Sequence, residues 1–175
     1  MMKRFFAGFL FFLFVMEGSV FQLLLPQAWG SSFVIIPQLV VSGIVVLSLY
    51  LKEQQAVLFG VGFGFLHDIV YGPALGIFAF STGLTAWGTV HISRLFPPYP
   101  WIAGLIAILA QLSHLLLIYG WYRLFDFTQM PFFPSLFAHI LPSVFFNIVW
   151  GFPIYQFMSW IYNKNKRNTI QLFGS

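Results

Sequence analysis

The stretch GVGFGFLHDIVYGPALG, residues 60–76, decides the fold. It places Gly60, Gly64, Asp68, Gly72 and Gly76 four residues apart, with Gly62 interposed and Leu75 just before the last glycine. Residues four apart share one stripe of an α-helix. Gly60 and Gly64 therefore let a second backbone approach closely, and Asp68, higher on the same stripe, can hydrogen-bond across that contact. Gly72-Pro73 is a turn signal between two apolar helices, and Gly76 with Gly83 gives the next helix a smooth seam for the one before it. The segment is not a phosphate loop, because the Gly-Lys-Ser/Thr ending is missing.

The rest of the chain sets the solvent around that stripe. Of 175 residues, 59% are hydrophobic, 21% aromatic and only 7% charged, against roughly 25% charged in soluble domains. Four acids and eight bases cannot cover a compact body in water, so the expected surroundings are lipid and the class all-α, polytopic membrane protein. The net charge of +4 sits mostly at chain ends and loop edges, which suits an anionic cytoplasmic leaflet and argues against nucleic acid as a partner. With no cysteine there is no disulfide framework, thiolate nucleophile or zinc-thiolate site.

About 20 apolar residues cross about 30 Å of hydrocarbon, and cutting the chain at charges and turn residues gives six spans. They run near 5–25, 33–51, 56–71, 74–93, 101–122 and 140–162, in one integral membrane domain over 1–175. Lys3, Arg4, Lys52, Arg94, Lys164, Lys166 and Arg167 fall on one side and Arg123 alone on the other, which puts both termini in the cytoplasm. Tyr50, Tyr99, Trp101, Trp160 and Tyr162 then mark the inner boundary, and Trp29, Tyr71, Trp121 and Tyr122 the outer one. The stretch after Lys3-Arg4 is longer than a signal-peptide core and lacks a small-x-small cleavage site, so it reads as a retained first helix. The outer connection from Arg123 to His139 carries Phe125, Phe127, Met130, Phe132, Phe133 and Phe137. It reads equally as a shelf at headgroup depth or as a docking surface for a partner helix. The basic run after Tyr162 reads first as a headgroup anchor for membrane lipids. Pro142 and Pro153 are expected to kink the sixth helix.

Ionisable residues inside spans usually face the protein interior, which singles out Glu17, His67, Asp68 and His114. Glu17, Asp68 and His114 lie twelve or thirteen residues into their spans, so each is expected about 18 to 20 Å above the cytoplasmic boundary. Gln38 and Asn147 fall near the same height. This layer is readable as a polar cluster that pins helix order, or as a substrate or proton site. No pairing of histidines or carboxylates places two ligands on one helical face, so no metal is expected. Without a nucleophile elbow, a paired aspartate motif or a zinc helix, neither catalytic residues nor a cofactor are expected.

The pattern Gly60-x3-Gly64-x3-Asp68-x3-Gly72-x2-Leu75-Gly76, in a basic-ended chain of six spans and this length, resembles the rod-shape-determining membrane protein MreD family. The resemblance implies a non-enzymatic subunit of the bacterial cell-wall elongation machinery in the plasma membrane. It would associate with the bitopic protein MreC and, through it, with the actin-like MreB filament, RodA and a penicillin-binding synthase. That family also looks like the substrate-binding components of energy-coupling-factor vitamin transporters, small six-helix membrane proteins with an outward-facing pocket. On this alternative, Glu17, Gln38, Asp68, His114 and Asn147 would line a cavity for a vitamin-like ligand.

Overall fold

The computed structural model describes residues 2–21, 23, 34–97 and 99–173, with side chains over 4–21, 23, 34–97 and 99–164. The expected places of Trp29, of the first span's end at Leu25, of the second span's start at Phe33, and of the Lys3, Lys166 and Arg167 side chains lie outside these residues. The described chain is all-α. Helix α1 spans Met2–Met16 and continues into a π-helical turn, Glu17–Phe21. Then follow α2 (Leu39–Ser48), α3 (Glu53–Tyr71), α4 (Ile77–Leu95) and α5 (Pro100–Leu124). Short α6 (Phe132–Ser135) passes through a second π-helical turn, Leu136–Ile140, into α7 (Leu141–Phe173), making one rod of the three and six rods among the described residues.

Two boundaries depart from the sequence expectation for definite reasons. The second helix is ten residues, not the run 33–51, and residues 34–38 ahead of it are not helical. Pro37 holds Ile36 out of the helical region, and the freed backbone groups of this segment find partners elsewhere in the protein. The last rod begins at Phe132 rather than 140. Pro142 has no N–H for the carbonyl of Ala138 four residues back, and the Val34 N–H takes that carbonyl instead at 3.4 Å. With the carbonyl satisfied, the rod continues through a π-helical turn rather than ending.

Helix α2 is the axis of the molecule. All ten of its residues are buried, against α1, α3, α4, α5 and α7. Phe6 and Leu10 of α1, Ile44 and Leu47 of α2, and Ile154 and Met158 of α7 form the centre of the largest apolar cluster. The most extensive helix pair is α3 with α4. A Cβ added to Gly60 would lie 2.9 Å from the Thr82 carbonyl oxygen and 3.1 Å from the Gly83 Cα, and one added to Gly64 would lie 2.6 Å from the Ala79 Cα. Backbone meets backbone along that seam, with no room for side chains. Gly62, between them, touches nothing within 4 Å.

The outside is apolar: Leu58 and Phe145 are 74% and 72% exposed, and Phe11, Phe12 and Phe152 also face outward. Such a surface is stable in lipid, not in water. Among the described residues, Arg4–Phe21, Pro100–Leu124 and Phe132–Lys164 are long and apolar enough to cross a membrane. Helices α3 and α4 have the length, 19 residues each, but are diluted by glycine, glutamine, serine and threonine, while α2 is a half-length piece.

Candidate functional site

The start of α2 lies inside the protein, and its orphan backbone donors need partners there. Side chains distant in sequence supply them. The Gln38 N–H donates to Asn147 Oδ1 at 2.8 Å, and Asn147 Nδ2 returns a bond to the Ile36 carbonyl at 3.2 Å. The Ile36 N–H donates to Ser143 Oγ at 2.8 Å, and the Val40 N–H to Glu17 Oε2 at 3.1 Å. Glu17 thus puts a carboxylate at a helix N-terminus, where the aligned peptide dipoles favour negative charge.

The other oxygen of Glu17 meets His67 Nε2 at 3.0 Å. His67 Nδ1 contacts the Phe63 carbonyl at 3.0 Å. A carbonyl only accepts, so Nδ1 carries a proton, and the Nε2···Oε1 contact holds one more between the two side chains. His114 is satisfied differently. Its Nδ1 donates to Gln38 Oε1 at 3.1 Å, leaving Nε2 to accept from the Thr82 hydroxyl at 3.1 Å. Phe78 packs between the two rings, 5.7 Å from His67 and 6.2 Å from His114.

Asp68 serves a second helix N-terminus. Its carboxylate accepts the N–H groups of Gly76 (2.9 Å), Phe78 (2.8 Å) and Ala79 (3.0 Å), the first turn of α4. Gly72 closes α3, its N–H donating to the His67 and Asp68 carbonyls at 3.0 and 3.1 Å. Gly76 sits at φ +103°, a backbone that side chains resist, so glycine is required where the chain turns into α4.

Of the residues singled out by sequence, Glu17 and His67 are joined directly, as are Gln38, His114 and Asn147. Asp68 stands apart, on the α3–α4 turn. All six are buried. Sequence reasoning missed Ser42, Gln111 and Ser143. Each lies three or four residues from a predicted member on the same helical face, which was the available signal. Ser42 Oγ donates to the Gln38 carbonyl at 3.1 Å and accepts from Gln111 Nε2 at 2.6 Å.

Gln111 opens onto a groove of about 170 Å³ between α2, α5 and α7, lined by Ala103, Gly104, Ala107 and Gly151 among others. Its Oε1 is buried without a hydrogen-bond partner. A Cβ added to Gly104 meets nothing within 4 Å, and one added to Gly151 meets only Ser42, at 3.9 Å. Packing within the chain therefore does not require these glycines. Among the described residues no group of three or more His, Asp or Glu side chains is placed to hold a metal ion.

The family model for rod shape-determining protein MreD matches residues 2–165. This chain belongs to the MreD family. It is accordingly a membrane protein involved in rod shape determination, from a non-enzymatic cell-shape family. A relative called rod shape-determining protein MreD, from Bacillus subtilis (strain 168), is 24% identical over 148 residues, covering 84% of this chain and 86% of the relative. No solved structure matches. Within this MreD family chain, both buried acids, Glu17 and Asp68, do the work of helix capping.

Proposed function

We propose that this chain is the membrane scaffold subunit of a bacterial elongation complex, and that it receives the single transmembrane helix of an MreC-like bitopic partner in the groove between α2, α5 and α7. Through that partner it would connect to MreB, RodA and a penicillin-binding synthase, supporting peptidoglycan synthesis and cell shape. The chain acts as one integral domain with both termini cytoplasmic, the side that its basic residues favour.

The observation that carries the reading is the unpartnered, buried Oε1 of Gln111, a residue that lines a groove walled by Ala103, Gly104, Ala107 and Gly151. Small residues admit a helix backbone closely, and a buried acceptor without a donor is costly until a partner's hydroxyl, amide or N–H reaches it. The stripe of Gly60, Gly64, Asp68, Gly72 and Gly76 supports the same reading from inside. It fastens α3 to α4, and this pair packs beside α2, one wall of the groove. The layer of Glu17, Gln38, His67, His114 and Asn147 spends its hydrogen bonds on the protein itself, the buried Gln38 Nε2 excepted, which favours a pinned scaffold over capture of a vitamin-like ligand.

Filling the groove tests this. Ala107→Phe and Gly151→Leu are each expected to abolish co-purification with an MreC-like protein from native membrane while leaving the melting temperature of the purified chain close to wild type. Undiminished association in both variants would overturn the assignment.

A further inference from the structure

A second cavity lies at the end of the molecule that carries Lys52 and Arg94. It holds about 230 Å³ and is bordered by Arg94, Ser93, Tyr50, Tyr99 and Tyr155. The Arg94 side chain is 58% exposed, and its one charged contact among the described residues is long: Nη1 stands 3.9 Å from Glu53 Oε2, which His91 also approaches at 3.8 Å. A guanidinium has five N–H donors in a fixed fork matched to phosphate, and here nearly all of them remain available.

This mouth adjoins a groove between α4 and α5, with one buried residue common to the two. Ile106 lines both, and Ile92, beside Ser93, begins the groove wall. The groove holds about 480 Å³. Its lining is apolar apart from small hydroxyls, and it extends along α5 to Leu117, eleven residues beyond Ile106 and so about 16 Å. Thr85 and Thr89 turn their hydroxyls back onto the carbonyls of Ser81 and Thr85 at 2.8 Å each, a pattern that bends helices, and Gly88 projects nothing into the gap.

We propose that this pair of cavities binds an anionic phospholipid of the membrane, its phosphate on Arg94 and one acyl chain in the α4–α5 groove. Charge complementarity selects the occupant: a guanidinium at the mouth of an apolar channel matches a molecule with a phosphate at one end and a hydrocarbon chain at the other. The mouth also borders the α2/α5/α7 groove through Leu49, Ala103 and Tyr155, but that space, about 170 Å³, is less than half the size of the α4–α5 groove. With the acyl chain assigned to the larger space, the chain and the proposed partner helix occupy different grooves that both border the mouth, and each is tested by substitutions in its own groove.

Native mass spectrometry of the full chain in detergent, with phosphatidylglycerol and phosphatidylcholine of equal chain length added in turn, reads the site directly. Wild type is expected to retain phosphatidylglycerol about tenfold more strongly, the scale of one charge-assisted contact. Arg94→Gln should bring it down to the phosphatidylcholine level, and Lys52→Gln, a charge outside the cavity, should not. Gly88→Leu, at a position where an added Cβ meets nothing within 4 Å, should weaken long-chain phosphatidylglycerol yet leave the Arg94-dependent binding of its dihexanoyl form unchanged. Equal retention of the two lipids by wild type, or full retention by Arg94→Gln, overturns the proposal. Equal losses in Arg94→Gln and Lys52→Gln also overturn it, because they would show diffuse attraction without a site.

Discussion

Asp68 and Glu17 are the two acids buried in the apolar body, and each lies where a helix starts. A carboxylate at such a position gains twice, from hydrogen bonds to orphan N–H groups and from the dipole of the helix behind them. Asp68 takes the larger share, holding three donors with two oxygens. Asparagine has one oxygen and would turn an amide N–H toward backbone donors. Asp68→Asn is therefore expected to lower stability by about 2–4 kcal/mol, the scale of losing charge-assisted bonds to buried groups. Thermal unfolding of the purified chain in detergent checks it, and an unchanged midpoint would show that the carboxylate is not holding the turn. Gly76→Ala should cost a further 1–2 kcal/mol or so, since φ +103° crowds a Cβ against the following carbonyl.

At the scale of elements, α2 is a half-helix whose beginning is held by α7. Its ten residues rise only about 15 Å, and backbone leaving the helical path at such depth persists only where protein groups satisfy it. Asn147 does this in both directions, accepting from Gln38 N–H and donating to the Ile36 carbonyl. Asn147→Leu, similar in bulk, leaves both groups bare and is expected to cost about 2–5 kcal/mol. Amide hydrogen exchange would locate the damage, with faster exchange across residues 36–42 and little change in the α3–α4 pair. The same contrast explains what could be read from sequence. The α3–α4 seam was legible because its parts are local: glycines four apart, a Gly-Pro turn, and an aspartate bonded to N–H groups eight to eleven residues on. The broken second helix was not, because its caps come from Ser143 and Asn147, 107 and 109 residues from their partners. An apolar run read alone, as at 33–51, looks continuous, and only Pro37-Gln38 hints at the break. Depth arithmetic marked Glu17, Gln38 and Asn147 as polar and deep, but nothing local says that they serve a backbone.

At the scale of the whole molecule, packing fixes which helices touch, while the direction in which the chain faces the bilayer rests on where its cations lie. Lys52 and Arg94 sit at one end of α3 and α4, near the Tyr50–Tyr162 ring pair, whose centroids are 4.7 Å apart. Lys164, at the same end of α7, lies 4.9 Å from the Trp160 ring. Arg123 closes α5 at the other end, its Nη1 donating to the Thr128 carbonyl and Gln129 Oε1 on the exposed surface. Each cation retained on the cytoplasmic side adds to the same bias, so seven against one leaves little to oppose it. The lack of cysteine makes the proposed orientation simple to read, since a single introduced thiol is the only target. Gln129→Cys, on the exposed loop after α5, is expected to react with a membrane-impermeant maleimide in cells whose plasma membrane is intact. Lys164→Cys should react only after that membrane is permeabilised. The reverse pattern would invert the molecule and move the Arg94 mouth to the outer leaflet. Labelling of both thiols in intact cells would put the two ends on one side, which an even number of crossings between the N-terminus and Lys164 does not allow for a loop reached by an odd number.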